Sequence, residues 1–284
     1  MSFRRVSGGR VVLDIQEGSR MEGKRASFRL SVLGSGSSGN AILLSSPRVN
    51  ILIDAGFSCA EMVRRLSLFD ISADDITALL ISHEHQDHIR GAALFSRRYR
   101  IPLYLTAGTK DAWGVARARV YGFEIIEAGE DFSIGEINIH PFSLPHDAAD
   151  PVGFLLSQNG VKVGIALDLG SPSRLVKERL AGADALILEA NHDTEMLRQG
   201  PYPPSLKQRV ASRLGHLSNE ELASMLREVA TPRLRFLLLA HISKVNNYPE
   251  LALLSSRLAL SSLSGVSPRV ILAHQDRPTQ LIEI

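Results

Sequence analysis

The chain of 284 residues contains one cysteine, Cys59. A single thiol excludes an internal disulfide and a cysteine-based zinc site, and its plainest role is that of a small apolar core residue. No stretch approaches the roughly 20 apolar residues that cross a bilayer. The opening segment, MSFRRVSGGRVVLDIQEGSR, is polar and basic and lacks the apolar centre of a secretory signal. These absences point to a soluble cytoplasmic protein with no membrane contact. Short-period repeats and low-complexity segments are missing as well.

Net charge is only +2, but it is unevenly spread. Residues 1–29 carry seven basic side chains against three acidic ones, which leaves the rest slightly acidic. Residues 1–27 read as a basic tail, disordered and able to touch nucleic acid. Met21 is a candidate for the true start, because the globular pattern opens at Phe28. From there to residue 284 the chain reads as one domain, with 44% apolar residues to build its core.

Short apolar runs bounded by turn residues predict strands at 28–33, 40–45, 50–55, 76–82, 102–106, 137–144, 152–158, 184–190, 234–241 and 269–274. Asn159-Gly160 predicts a tight hairpin. Helical spacing appears at 59–68, near 107–119, and at 249–260. Ser171-Pro172 looks like a helix cap followed by proline at the first helical position. Ser218 and Glu221 form the capping-box signature of a further helix. Strands in both halves with helices after them predict an α/β fold of four layers, αββα, with two mixed sheets packed face to face.

The densest chemistry is ISHEHQDHIR, residues 81–90, which holds His83, His85, Asp87 and His88. In extended backbone, alternate side chains share a face, so His83 and His85 can reach one ion, and Asp87 continues the alternation. Four ligands exceed the three protein ligands of an open single-metal site. They suit two adjacent metals whose remaining ligands come from later loops. His146, Asp168 and His241 each follow an apolar run and are expected on the same sheet rim. A carboxylate among them is able to bridge two metals roughly 3.5–4 Å apart. A merely solvated polar loop is the competing interpretation; the downstream partners argue against it. His140 and His274 read as ordinary strand residues.

SHEHQDH, with His146, Asp168 and His241, resembles the HxHxDH hallmark of the metallo-β-lactamase superfamily. The resemblance spans about residues 28–284 and implies an αββα hydrolase with a dinuclear site at the sheet edge. It assigns His83, His85 and His146 to one metal, Asp87, His88 and His241 to the other, and Asp168 to the bridge. LGSGSSGNAILL, HDAADPVGF, LEANHDTEMLRQGPYP and GHLSNEELA are similar to the YycJ/WalJ group of that superfamily. That likeness implies a DNA nuclease with 5′-exonuclease activity, so DNA is the expected partner.

The superfamily hydrolyses β-lactams, thioesters and phosphodiesters, and the fold alone does not choose among them. The ligand set lacks cysteine, which suits Zn²⁺ or Mn²⁺ and phosphate oxygens. His216, in GHLS, resembles the proton-donating histidine of tRNase Z-type phosphodiesterases. The interval from His146 to Asp168 is too short for the tRNA-gripping arm of that type. The interval from Asp168 to His241 is too short for the inserted domain of the ribonuclease J type. It holds instead a proline-stiffened basic segment, 191–215, whose Lys207, Arg209 and Arg213 read as phosphate contacts of a lid or, equally on charge alone, as a solvated face. His192 is expected at the rim as a substrate contact or a support for one, and Glu189 as a group that orients a ligand histidine. The glycine-rich GSGSSGN loop is a weak candidate for a phosphate cradle. The expected reaction is in-line phosphodiester hydrolysis with Asp87 and His216 as catalytic residues. RNA processing, or hydrolysis of a small cyclic phosphodiester or thioester, stands as the alternative.

Overall fold

The structure, a computed structural model, describes residues 28–284; the basic segment before it, with Met21, lies outside the described residues. The apolar runs form strands stacked into two sheets. The first sheet contains β1 (Arg29–Gly34), β2 (Ala41–Ser45), β3 (Asn50–Ile53), β4 (Ala78–Leu80), β5 (Leu103–Leu105) and β6 (Phe123–Ile125). The second contains β7 (Phe132–Ile134), β8 (Ile137–Ser143), β9 (Val152–Gln158), β10 (Val161–Ala166), β11 (Ala185–Glu189), β12 (Phe236–Ala240) and β13 (Arg269–Leu272). A last strand, β14 (Ile282–Glu283), returns to the first sheet beside β1. The strand orders are β14-β1-β2-β3-β4-β5-β6 and β13-β12-β11-β10-β9-β8-β7.

The helices are α1 (Cys59–Ser67), α2 (Gln86–Ile89), α3 (Ala92–Tyr99), α4 (Ala107–Trp113), α5 (Val115–Ala118), α6 (Arg174–Leu180), α7 (Thr194–Gln199), α8 (Pro204–Val210), α9 (Asn219–Val229) and α10 (Pro249–Ser261). Among the described residues no helix is long and apolar enough to cross a membrane. Three apolar clusters define the layers. One fills the space between the sheets, with Phe28, Ile51, Phe154, Ile165 and Leu238. A second joins the outer face of the second sheet to α6, α9 and α10 through Leu180, Leu226 and Leu260. A third joins the first sheet to α1 and α3 through Met62, Leu66 and Phe95. The four-layer αββα expectation therefore holds, with Cys59 buried in the third cluster.

Strand direction decides where the chemistry emerges. β3, β4, β5 and β6 run parallel, as do β10, β11, β12 and β13. β8 and β10 are both antiparallel to β9 and so share a direction. β1 and β3 share one through β2 in the same way. The residues after β1, β3, β4, β8, β10, β11 and β12 therefore come out at carboxyl ends of strands, the usual place for a site in an open α/β sheet.

Some local expectations need correcting. The helix near 107–119 is two pieces, α4 and α5, broken at Gly114, whose φ of 69° lies in the left-handed region. Ser171 does not cap α6: its hydroxyl donates to the Arg213 carbonyl, and the cap is Ser173, which accepts from Val176 N–H. The Asn159-Gly160 hairpin forms as expected, with φ of 50° and 81° at the two turn residues. The Ser218–Glu221 capping box at α9 is also present.

Phe154 is fully buried between the sheets. Phe154→Ala removes that packing and leaves a cavity, and should lower unfolding free energy by about 3–5 kcal/mol, measured by urea denaturation. A loss under ~1 kcal/mol would mean that the sheets are not held by this core.

Candidate active site

The histidine-rich segment takes its shape from the end of β4. His85 is the last extended residue, with φ −63° and ψ 146°, and α2 begins immediately after it. The N–H groups of His88 and Ile89 both donate to His85 O. Asp87 therefore lies on a helical turn, and the strand alternation expected to carry it stops at His85. Backbone contact fixes that turn. Asn40 N–H donates to Asp87 O at 2.7 Å, and Ala55 N–H to His88 O at 2.8 Å. Gly56 permits this approach, since a Cβ there would sit 1.7 Å from Asp87 O.

All seven expected ligands converge. His83, His85 and His146 offer donor atoms within 4.8 Å of one another, as do Asp87, His88 and His241. Asp168 groups with His83 and His88, and again with Glu189, His216 and His241. It thus sits between the two sets. Asp168 and His241 occupy strand ends in the left-handed region, with φ of 54° and 51°. Such backbone in a non-glycine residue costs about 1–3 kcal/mol and is characteristic of functional positions.

Hydrogen bonds on the outer side of the cluster orient the rings. His146 Nδ1 donates to Gly215 O at 3.1 Å, leaving Nε2 as a lone pair 3.3 Å from His85 Nδ1. Asp54 Oδ2 lies 2.7 Å from His88 Nδ1 and accepts from Ser82 Oγ, which lies 3.0 Å from His83 Nδ1. Glu189 Oε1 lies 2.7 Å from His241 Nδ1 and 2.8 Å from His216 Nδ1. Glu189 Oε2 accepts from the N–H groups of Leu169 and Leu217. Asn40 Oδ1 accepts from Ser35 Oγ and Gly36 N–H, which turns its Nδ2 toward Asp87 Oδ2 at 3.2 Å. Ser35 Oγ in turn accepts from His241 N–H at 2.8 Å. The GSGSSGN loop is thus a strap between the two halves of the site.

The electrostatics are those of a site built around positive charge. Burial, reinforced by His88, holds His83 well below the ordinary histidine value. Burial opposes charge on His88, but the Asp168 and Asp54 carboxylates outweigh it and raise its pKa well above normal. Burial likewise opposes charge on His241 and His216. Carboxylates prevail and carry His241 to about 9, chiefly through Asp168, and His216 to about 11, chiefly through Glu189. Glu189 is buried, which favours its neutral form, yet the facing histidines bring it down to about 2.

The donor set fits divalent metal. His83 Nε2 and His241 Nε2 are buried without hydrogen-bond partners, and Asp168 Oδ2 meets His88 Nε2 at 2.7 Å beside them. Unmet buried polar atoms cost about 1–3 kcal/mol each, and here they gather in one place. Imidazole nitrogens and carboxylate oxygens in such an arrangement are metal ligands by chemistry.

A pocket of about 180 Å³ opens onto the cluster, lined by His85, Asp87, Asp168, Arg209, His216 and His241 among others. Of the expected substrate contacts, Arg209 lines it, held at 2.6 Å to Asp147. Lys207 Nζ instead donates to Arg198 O, tying α8 to α7. Arg213 is exposed, and its carbonyl accepts from Ser171. His192 is buried, its backbone bridges to Ser218, and it is not among the residues lining the pocket. Sequence reasoning missed Asp54, Ser82, Asn40 and Asp147. Asp54 had a signal, since it closes NILID as Asp168 closes VGIALD. Asn40 lay in a loop read only for its glycines.

Residues 49–242 match the Beta-lactamase superfamily domain. The chain is 35% identical over 230 residues to exodeoxyribonuclease YycJ of Bacillus anthracis, covering 80% of this chain and 87% of that protein. It is 36% identical over 268 residues to exodeoxyribonuclease WalJ of Streptococcus pneumoniae, covering 90% and 98%. The metallo-β-lactamase fold protein YhfI from Bacillus subtilis has a TM-score of 0.71 over 90% of this chain and 99% of its own. Identity to YhfI is 16%, so that likeness speaks for the fold alone.

Because the raised pKa values keep protons on His88 and His241 in the metal-free protein, metal must displace them. Metal affinity should therefore rise with pH through neutrality and fall in acid. Calorimetric titration with Mn²⁺ or Zn²⁺ in buffers of different ionisation enthalpy should show at least about one proton released per chain at neutral pH. Affinity independent of pH, with no proton release, would contradict this electrostatic account.

Proposed function

The chain belongs to the β-lactamase superfamily, and on that premise we propose that it is a metal-dependent nuclease that degrades DNA from the 5′ end using two divalent ions, Zn²⁺ or Mn²⁺. The observation that carries this reading is the convergence of two three-residue donor sets on one intervening carboxylate, Asp168, below a pocket that His216 lines. The similarity to proteins named exodeoxyribonucleases over most of the chain supports the substrate class.

In this reading His83, His85 and His146 hold one ion, Asp87, His88 and His241 the other, and Asp168 both. Bound ions would supply positive charge to phosphate oxygens, acidify a water, and draw the His216 pKa down from about 11 toward neutrality. The remaining work belongs to the chain. Glu189 takes His216 Nδ1 at 2.8 Å, which leaves Nε2 to carry a proton into the pocket. That proton goes to the leaving oxygen as the ester bond breaks. Glu189 also fixes His241, so one carboxylate sets both the acid and a ligand. Asp87 would hold metal and, as a carboxylate lining the pocket, orient the attacking water. Arg209, anchored by Asp147, meets a phosphate oxygen at the mouth. Lys207, Arg213 and His192 support the segment over the pocket rather than touching the reacting phosphate.

Two variants test these roles. His216→Ala should retain metal and slow DNA cleavage by about 10²- to 10⁴-fold, with a much smaller effect on a p-nitrophenyl phosphodiester, whose leaving group needs no proton. Equal losses on both substrates would remove His216 from the acid role. Asp168→Ala should lower metal content and abolish cleavage. The substrate class is tested by presenting the metal-loaded protein with DNA, RNA, a cyclic nucleotide ester and a thioester. The reading expects DNA to be preferred by kcat/KM. Preference for either small substrate would overturn the nuclease assignment, and preference for RNA would redirect it to RNA processing.

A further inference from the structure

A second depression, of about 340 Å³, is lined by residues that neighbour the catalytic pocket's own lining in the chain, and its Ser35 accepts from the N–H of His241. Ser37 and His241 line the pocket, while Ser35 and Ile242 line the neighbouring groove. The groove is lined by Lys244 and Tyr248 as well. Both belong to the segment that leaves His241. At no more than about 3.6 Å per residue, the Cα of Lys244 lies within ~11 Å of that of His241.

Tyr248 has no role in the fold that accounts for it. It is 61% exposed. It occupies the position before α10, with φ −114° and ψ 135°, and makes no capping bond there. Serine, threonine, aspartate or asparagine would stabilise that helix end, and tyrosine gives up the contribution. The segment that presents it is nonetheless firmly held. Asn246 and Asn247 are buried. Asn247 Nδ2 donates to Ala190 O and Asn191 O, and Ser243 N–H donates to Asn191 O. Lys244 is exposed, and among the described residues the lysines that form ion pairs are Lys110 and Lys177. Asp276 is the acidic group on the lining, with Arg277 next to it in the chain. A rigid loop therefore offers an uncovered aromatic face and an uncommitted cation beside the catalytic pocket, the pairing that binds single strands through base stacking and phosphate contact.

We infer that this groove is a nucleotide subsite for a single nucleic-acid strand running out of the catalytic pocket, with Tyr248 stacking on an unpaired base and Lys244 meeting a backbone phosphate. The inference rests on the nuclease reading and deepens it, since it names the strand form that the site accepts.

The test compares metal-loaded wild type, Tyr248→Ala, Tyr248→Phe and Lys244→Ala on a short single-stranded DNA oligonucleotide, on duplex DNA and on a p-nitrophenyl phosphodiester. Tyr248→Ala should raise KM for the oligonucleotide by about 5- to 100-fold, the range for a lost base stack. Its turnover of the small ester should be unchanged, and Tyr248→Phe should restore the oligonucleotide KM. Lys244→Ala should flatten the salt dependence of oligonucleotide binding by about one counterion. In a series of oligonucleotides with one abasic position each, a particular position should erase the difference between wild type and Tyr248→Ala. A wild type that cleaves the oligonucleotide while Tyr248→Ala leaves its KM unchanged overturns the subsite and spares the nuclease reading. A wild type that cleaves duplex DNA but neither binds nor cleaves the single-stranded oligonucleotide overturns the subsite and spares the nuclease reading; one that cleaves the small ester but no DNA, single-stranded or duplex, overturns both.

Discussion

The structure depends on one electrostatic constraint: many electron-pair donors share one small, largely buried space. His83 Nε2 and His241 Nε2 are buried without partners, Asp168 Oδ2 crowds the same space at 2.7 Å from His88 Nε2, and the His85 and His146 nitrogens face each other at 3.3 Å. Apolar packing holds the donors there, because each stands at the end of a strand or loop anchored in a core cluster. Left-handed backbone at Asp54, Asp168 and His241 adds strain at the same rim. Cations relieve the repulsion that packing imposes, and the charge that relieves it is the charge a phosphodiester needs in its transition state. Stability and chemistry thus draw on the same arrangement.

Support from outside the cluster comes from few residues, each used more than once. Glu189 serves His216 and His241 with one oxygen and two backbone N–H groups with the other. Asp54 reaches His88 directly and His83 through Ser82. Ser35 and Asn40 link His241, in the second sheet, to Asp87, beside the first. A disturbance of one ligand is therefore transmitted to a ligand of the opposite sheet. The same Ser35 lines the groove of Tyr248 while accepting from His241 of the pocket, so the metal scaffold and the proposed strand path meet at one residue.

Much of this was legible in the sequence because it was written at strand ends. An apolar run followed by His or Asp marks a buried strand that delivers a polar side chain to its end, and this signal singles out His146, Asp168 and His241. The two-sheet architecture followed from the order of strands and helices. What escaped notice was local or depended on tertiary contact. β6, β7 and β14 are two or three residues long, too short for a periodic signal. Asp87 left the expected alternation because α2 is pressed against Gly56 and Asn40. Ser173, not Ser171, caps α6 because Ser171 is engaged with Arg213. The burial of His192 depends on the loop that pairs it with Ser218, a contact that its place after β11 does not signal.

The central claim is that Asp168 lies between two metal positions. The most direct measurement is anomalous diffraction at the metal absorption edge from crystals of the metal-loaded protein. The account predicts two peaks per chain roughly 3.5–4 Å apart, one among His83, His85 and His146, the other among Asp87, His88 and His241, with Asp168 touching both. A single peak in a fully active preparation, or two peaks with Asp168 bound to neither, would contradict it.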